Sequence, residues 1–262
     1  MPARAAAYGF IGTGAITRAM VGGLSGIDPA PAIVLSPRST AVSAALAARF
    51  GNVRVAEDNQ AVVDAAACVV VATRPADARV VLADLSFSAD QVVVSVVAGL
   101  SLDQLRTAVA PAQEVARTIP LPSVAVRQGL VPVFPPVPAA LELFGQLGAT
   151  VALDDETAFD SFSAASAFAA TQLDLLATVE AWLIGRGVPA ADASAYVREL
   201  IRGLSDALAA EPDRELALIA GDHATPGGLN EQIRTYVRSQ GVHELVATAL
   251  DDVARRVAAA QA

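Results

Sequence analysis

The sequence contains no lysine, so all 18 of its basic residues are arginines. This absence excludes a Schiff-base lysine and a lysine general acid. The single cysteine, Cys68, cannot form an internal disulfide, and the chain therefore fits a reducing compartment. Cys68 lies in an apolar run, and we interpret it as a small buried hydrophobic residue rather than a nucleophile.

Basic stripes, histidine clusters and long apolar runs are also missing. The net charge of −9 makes nucleic acid an unsuitable partner, and two histidines with one cysteine suggest no metal site. Apolar runs such as residues 92–100 fall far below the roughly 20 residues needed to span a bilayer. Residues 1–4 lead directly into a strand pattern rather than a signal peptide. We therefore expect a soluble, cytoplasmic protein without a membrane partner.

Hydrophobic residues make up 54% of the chain, enough for a sizeable core. In the first half, short β-like runs alternate with helical patterns, and runs that are apolar on both faces indicate a parallel sheet covered by helices on each side. A proline-rich segment at 120–138 is interpreted as a loop or edge strand. The predicted strands are 5–11, 32–35, 53–56, 68–72, 92–97 and 149–153, and the predicted helices are 17–24, 39–50, 59–66 and 139–147.

The pattern changes after residue 153. Acidic residues 154–156 are typical of a helix start, and only helical patterns follow. These cover residues 156–170, 173–186, 190–209, 231–239 and 242–260. The sequence therefore predicts a doubly wound, mostly parallel α/β domain at 1–153 and an all-α domain at 154–262. Helices that are apolar on more than one face favour covering by a partner subunit.

A glycine-rich turn at residues 9–17, GFIGTGAIT, follows the first strand and opens a helix. Gly12 permits a tight turn, and Gly14 lets backbone amides approach a pyrophosphate at the positive helix terminus. This context predicts a Rossmann dinucleotide-binding domain, although the third fingerprint position is Thr17 instead of Gly or Ala. The predicted contacts are Gly12, Thr13, Gly14, Ala15 and Ile16.

The end of the second strand favours NADP(H) over NAD(H). NAD-binding proteins usually place an acid there, whereas residues 35–40 read LSPRST without a carboxylate. Ser36, Arg38 and Ser39 offer a guanidinium and two hydroxyls for a 2′-phosphate. The alternative is a solvated loop in which Ser39 caps the next helix.

Several motifs, taken in order, resemble the pyrroline-5-carboxylate reductase family across nearly the whole chain. Any one of them is weak evidence, and the ordered set is specific. They are GFIGTG at 9–14, MVGGL at 20–24, the Ser36-x-Arg38-Ser39 segment, Asn59, VATRP at 71–75, VAGLS at 97–101, RTIP at 117–120 and TPGG at 225–228.

The resemblance implies reduction of a cyclic imine to proline with a nicotinamide cofactor, by a homodimer or higher homo-oligomer. It implies further cofactor contacts at Asn59, Ala72, Thr73, Arg74, Pro75, Ala98 and Gly99. It also implies a substrate loop containing Gly227, Gly228 and Leu229, with Thr225 and Asn230 orienting the imine. Glycines that expose backbone amides at a helix start suit a carboxylate on physical grounds alone, although a plain helix start is the simpler interpretation.

The departures from the family pattern concern the substrate. Leu229 and Asn230 stand where the family has two threonines, Leu121 replaces an amide side chain, and Phe168 lies in a helix motif that is usually glycine-rich. They leave two alternatives open: a reductase of a different small imine or carbonyl compound, and a catalytically silent dinucleotide-binding dimer. His223 beside the loop is a candidate proton donor or an exposed loop residue.

Two rival enzyme classes share parts of this pattern. A short β-hydroxyacid dehydrogenase depends on a helical lysine, which this chain lacks. A deazaflavin-dependent reductase has a similar N-terminal domain, but the long helical region and the glycine loop argue against it.

Overall fold

The computed structural model describes residues 6–261, so the predicted strand start at Ala5 and the segment before it lie outside the described residues. One eight-stranded sheet has the order β3-β2-β1-β4-β5-β6-β7-β8, and every neighbouring pair is parallel except β6 and β7. The strands are β1 Ala6–Ile11, β2 Ile33–Leu35, β3 Val53–Val55, β4 Ala66–Val71, β5 Val92–Ser95, β6 Glu114–Thr118, β7 Leu130–Phe134 and β8 Ala149–Ala152.

Helices follow most strands, and the last part of the chain is helical throughout. A short 3₁₀ helix at Pro122–Val126 precedes β7. The α-helices are α1 Ala15–Leu24, α2 Thr40–Arg49, α3 Asn59–Ala65, α4 Pro75–Ala83, α5 Leu102–Ala108, α6 Pro138–Gly145, α7 Glu156–Ser166, α8 Phe168–Gly185, α9 Ala190–Ala210, α10 Leu216–Asp222, α11 Leu229–Ser239 and α12 Val242–Gln261.

The sheet is covered on both faces, as its apolar strands predict. In β4, Val69 and Val71 belong to one buried cluster, and Val70 between them belongs to the other. Successive side chains of a strand point to opposite faces, so two helical layers bury the same strand. The first six strands have the order 3-2-1-4-5-6 of a doubly wound dinucleotide-binding sheet, which confirms the predicted fold class.

The proline-rich segment differs from its prediction, because β7 is an internal strand between β6 and β8. Pro132 cannot donate a backbone hydrogen bond, yet it lies in this strand. The antiparallel pairing with β6 involves only Val133 and Phe134, so it stops before the proline. The proline is therefore tolerated inside the sheet.

The chain folds into two compact units. Among the described residues, the first consists of 6–166 together with 254–261, and the second of 167–253. The change from α/β to all-α structure lies near residue 153, but α7 belongs to the first unit. Asp155 caps the start of α7 by accepting hydrogen bonds from the amides of Thr157 (3.1 Å) and Ala158 (3.2 Å), as acidic residues at a helix start predict.

Among residues 6–261, one helical stretch, Glu156–Gly185, is long and apolar enough by length and composition to cross a membrane. It comprises α7 and α8, which are interrupted by a turn at Ala167. The core helix of a soluble protein meets the same criterion, so a single stretch of this kind is weak evidence for a membrane span.

Candidate active site

The glycine turn after β1 has the backbone that its sequence predicts. Gly12 has φ +98°, and a Cβ there would lie 2.5 Å from the carbonyl oxygen of Ala72. A side chain is excluded on both counts, because this φ is unfavourable for L-residues and the neighbour is main chain. The Thr17 hydroxyl donates to the Gly12 carbonyl at 2.7 Å, so the departure at the third fingerprint position supports the turn.

Ser36 stabilises the same turn from its buried side. Its side chain is fully buried, and its hydroxyl oxygen accepts a hydrogen bond of 2.9 Å from the Gly12 amide. The structure therefore places this predicted phosphate ligand within the core, where it orients the turn. Arg38 and Ser39, predicted with it, are exposed. Ser39 has φ +65° at the N-cap position of α2, and within residues 6–261 its side chain makes no capping hydrogen bond.

The start of α1 is open to a ligand. Gly14 is its N-cap residue, and a Cβ built on it meets no atom within 4 Å among the described residues, apart from Gly14 and its neighbours in the chain. Ala15 and Ile16 form the first turn, which contains no acidic residue. Exposed amides at a helix N-terminus without a nearby carboxylate favour an anion, so this opening suits a phosphate group.

Gly12, Thr13 and Gly14 of the glycine turn line a cleft of about 400 Å³ at the carboxyl ends of β1, β2 and β4. Ligands of doubly wound sheets bind in this position, where the strand order reverses. Among residues 6–261 the Thr73 hydroxyl is buried without a hydrogen-bond partner, so the cleft wall holds an unsatisfied polar group. The cleft is lined by Gly12, Thr13, Gly14, Arg38, Ser39, Ala72, Thr73, Arg74 and Asp77.

Asp77 is the one residue of this lining that the sequence did not single out. Its Oδ2 accepts hydrogen bonds from the Arg74 Nε at 2.9 Å and from an Arg38 terminal nitrogen at 3.1 Å. The hydrogen bond from Arg74, with the charges of both arginines, lowers the pKa of the Asp77 carboxyl below its usual value. A local signal existed, because Arg74 and Asp77 are three residues apart at a helix start.

The other predicted cofactor residues do not line the cleft, namely Ala15, Ile16 and Ser36, described above, and Asn59, Pro75, Ala98 and Gly99. Asn59 begins α3 and is half-buried, and Pro75 is the first residue of α4. Ala98 is exposed in the loop after β5. Gly99 in the same loop has φ +76°, and a Cβ there would lie 3.3 Å from the Cβ of Ala260.

A buried arginine at the end of β6 was missed by the sequence interpretation of its motif. Arg117 is 2% exposed and forms ion pairs with Glu156 at 2.5 Å and Asp160 at 2.9 Å. Its guanidinium also lies 4.5 Å from the ring centroid of Phe159. Both acids come from α7, so this cluster attaches α7 to the sheet.

The predicted substrate loop lies in the second unit. Gly227 has φ +74° and Gly228 is the N-cap residue of α11, so the loop ends at a helix start as predicted. The Gly228 amide donates to the Thr225 carbonyl at 2.8 Å. The Gly227 amide donates to the Glu231 carboxylate at 2.7 Å. One amide that the resemblance assigns to a substrate carboxylate is thus bonded to an acidic side chain of the chain itself.

Asn230, an exposed residue at the start of α11, braces the loop. Its side-chain amide donates to the carbonyl of His223 at 2.8 Å, and both residues line a cavity of about 890 Å³ within the second unit. The remaining lining is largely leucine, isoleucine and alanine, with Glu199 and Arg234 among the polar residues. Leu229 is exposed beside it.

Comparisons with known proteins agree with this geometry. Residues 7–99 match the family described as NADP oxidoreductase, coenzyme F420-dependent, and this segment contains the predicted cofactor residues from Gly12 to Gly99. The pyrroline-5-carboxylate reductase of Escherichia coli (strain K12) is 36% identical over 132 residues, which are 48% of this chain and 48% of that protein. The match thus spans about half the length of the curated relative.

Two solved structures match over nearly the whole chain. The 1-pyrroline-5-carboxylate reductase of Streptococcus pyogenes has a TM-score of 0.82 at 21% identity, covering 96% of this chain and 98% of that one. The Plasmodium falciparum pyrroline carboxylate reductase with NADP bound has a TM-score of 0.82 at 15% identity, covering 99% and 100%. At such identities these matches show the fold.

The sheet order, the glycine turn and the cleft at the strand ends define a Rossmann-type protein with a helical C-terminal region. Within that class, the chain is similar to pyrroline-5-carboxylate reductases, in sequence over 48% of its length and in fold over 96% of it.

Proposed function

We propose that this protein is an NADPH-dependent reductase that transfers hydride to the C=N carbon of a cyclic imine, either pyrroline-5-carboxylate or a related imine. The cleft at the ends of β1, β2 and β4 carries this proposal. It combines an open helix N-terminus at Gly14 with two arginines, and a dinucleotide needs both an amide-lined phosphate site and a contact for the adenosine ribose.

The residues of the cleft fit NADP(H) better than NAD(H). Arg38 and Arg74 present guanidinium groups, and the Ser39 hydroxyl is exposed beside them. Guanidinium groups match phosphate through paired donors. The unsatisfied Thr73 hydroxyl gives a bound dinucleotide a further polar contact. When bound, the reduced nicotinamide supplies the hydride.

Residues of the second unit are proposed to hold the imine. Thr225 and Asn230 orient its nitrogen and carboxylate, and Gly227, Gly228 and Leu229 shape the loop around it. A protonated imine is already electrophilic, so the chain has to supply position and exclusion of water rather than a strong acid. As the C–H bond forms, the π electrons move to the nitrogen, which already carries its proton. The lack of lysine is then no obstacle.

The Gly227–Glu231 hydrogen bond favours a broader choice of substrate. A substrate carboxylate has to displace the Glu231 side chain from the Gly227 amide or bind beside it, and like charges disfavour the second arrangement. An imine without a carboxylate meets no such competition. Pyrroline-5-carboxylate and cyclic imines without a carboxylate are therefore both candidate substrates.

NADPH oxidation by the purified protein tests the proposal. It is measured with pyrroline-5-carboxylate and a panel of five- and six-membered cyclic imines, with NADH in parallel. Turnover of any imine supports the reductase. NADPH binding without turnover across the panel would overturn it in favour of the silent dinucleotide-binding protein.

Variants of α11 test the proposed role of Asn230. Asn230→Leu is expected to depress turnover strongly at unchanged NADPH affinity. Gln232→Leu is the matched control, because it also replaces an exposed side-chain amide by leucine, two residues along the same helix. Equal turnover of both variants and the unmodified protein would remove Asn230 from the site.

We further propose that a second copy of this chain covers the helical unit. Large apolar residues are exposed on its helices, among them Leu173, Trp182, Tyr196, Leu200, Leu216 and Tyr236. Exposed apolar surface of this extent marks an interaction site.

Sedimentation analysis tests this proposal. In a detergent-free buffer that resembles the cytoplasm, the protein is expected to be a dimer or a higher homo-oligomer. Trp182→Glu is expected to shift it toward monomer, whereas Val80→Glu is not, although Val80 on α4 is at least as exposed (69% against 59%). A monomer that binds lipid vesicles would contradict the proposal.

A further inference from the structure

The nucleotide cleft contains an anion of its own, the carboxylate of Asp77. A single oxygen of this group bridges Arg38 and Arg74, the two cations of the cleft. Asp77 also lies in the first turn of α4, where the helix dipole favours a negative charge. The carboxylate thus occupies a position that suits an anionic ligand.

The two arginines reach this carboxylate from different parts of the fold. Arg74 is the N-cap residue of α4, three residues before Asp77. Arg38 lies in the loop after β2, and its carbonyl accepts a hydrogen bond from the Thr13 hydroxyl in the glycine turn. The loop is therefore fixed at its backbone, while the Arg38 side chain is 53% exposed and is held by its ion pair with Asp77.

We propose that Asp77 is a specificity-determining residue of the cofactor cleft, an internal anion that the 2′-phosphate of the dinucleotide must displace from Arg38 and Arg74. This inference rests on the proposed cofactor. A phosphate monoester carries nearly two charges and three acceptor oxygens, so it competes well against one carboxylate. Exposed ion pairs are weak, which makes the displacement feasible. A ribose hydroxyl cannot compete, so NAD(H) leaves the cluster intact.

Asp77 therefore weakens the binding of NADP(H) without weakening that of NAD(H). Removing its charge frees two guanidinium groups and removes a repulsion toward the phosphate. Because the competing ion pairs are exposed, we expect a gain in affinity of about three- to tenfold for ligands with a 2′-phosphate. The affinity for ligands without that phosphate is expected to change by less than about twofold, since their other contacts in the cleft keep the same charges.

Isothermal titration of 2′,5′-ADP and 5′-AMP tests this directly, because the two probes differ only in the 2′-phosphate. Asp77→Asn is expected to bind 2′,5′-ADP more tightly and 5′-AMP equally. Asp77→Glu keeps the charge and is expected to stay close to the unmodified protein. Asp103→Asn is the matched control, since Asp103 also lies in a first helical turn beside an arginine three residues away but outside the cleft.

The outcomes separate this inference from the proposed function. Tighter 2′,5′-ADP binding in Asp77→Asn alone supports the inference, and Asp77→Ser provides the same test if the amide variant does not fold. Unchanged or weaker 2′,5′-ADP binding, with NADPH bound by the unmodified protein, would overturn the inference and leave the proposed cofactor standing. Failure of the unmodified protein to bind NADPH or NADH overturns both.

Discussion

The glycine turn offers a sharp test of the cleft, because two of its glycines are constrained for different reasons. Gly12→Ala places a side chain at φ +98°, with its Cβ 2.5 Å from the Ala72 carbonyl oxygen. A residue forced into a sparsely populated backbone region costs about 1 to 3 kcal/mol. The end of β4 must also move to relieve the overlap. We therefore expect a loss of at least about 2 kcal/mol in the free energy of unfolding, together with weaker NADPH binding.

Gly14→Ala is expected to separate binding from stability. Gly14 has φ −83°, and among the described residues the new Cβ meets no atom within 4 Å apart from Gly14 and its neighbours in the chain. An N-cap alanine in place of glycine should cost less than about 1 kcal/mol. The methyl group nevertheless occupies the opening proposed for the phosphate. NADPH affinity should therefore fall sharply while the free energy of unfolding stays nearly constant.

Gly22→Ala completes the series as a control within α1, where a Cβ also has free space among the described residues. It should raise the free energy of unfolding by about 0.5 to 1 kcal/mol, because alanine loses less backbone entropy in a helix. Urea denaturation followed by circular dichroism gives the stabilities, and NADPH fluorescence titration gives the affinities. A Gly12→Ala protein as stable as the unmodified one would refute the steric argument. Full NADPH affinity in Gly14→Ala would refute the phosphate site.

Three further predictions concern buried polar groups. Arg117→Met leaves two acids of α7 unpaired and should lower the free energy of unfolding by about 3 kcal/mol in urea denaturation. The control variant Arg202→Met, which removes ion pairs from an exposed helix, should lower it by less than about 1 kcal/mol. Ser36→Ala leaves the buried Gly12 amide unsatisfied and should cost about 1 to 3 kcal/mol by the same assay, with weaker NADPH binding. Burial raises the pKa of the Cys68 thiol to about 12, so iodoacetamide at pH 8 should label it only after denaturation.

Each of these has a result that would contradict it. Equal losses in the two arginine variants would show that the Arg117 cluster behaves like surface ion pairs. An unchanged Ser36→Ala protein would mean that the Gly12 amide finds another acceptor. Rapid labelling of native Cys68 would show that its strand opens readily, against its 5% exposure.

Local sequence patterns were sufficient for most of the sheet. Strand β4 is an unbroken apolar run because both of its faces are buried, so its sequence predicts it. The glycine turn is predictable because Gly12 has a positive φ and lies close to neighbouring backbone, and both features require glycine. Strand β6, EVART, was not predicted. Its charged residues Glu114 and Arg117 interrupt the apolar pattern that would indicate a buried strand. The two acids that neutralise Arg117 lie 39 and 43 residues away in the sequence.

The candidate site also combines features that the local sequence sets with contacts that only the tertiary structure makes. The sequence by itself determined the glycine turn, the strand ends that carry Arg38 and Arg74, and the glycine loop before α11, since each depends on backbone conformation set by neighbouring residues. Only the tertiary structure decided that Ser36 turns inward to the Gly12 amide and that Asp77 bridges both arginines. Such contacts join segments 24 and 39 residues apart. These contacts form only when the parallel strands bring their carboxyl ends to one edge of the sheet. No local sequence pattern predicts which strand ends become neighbours there.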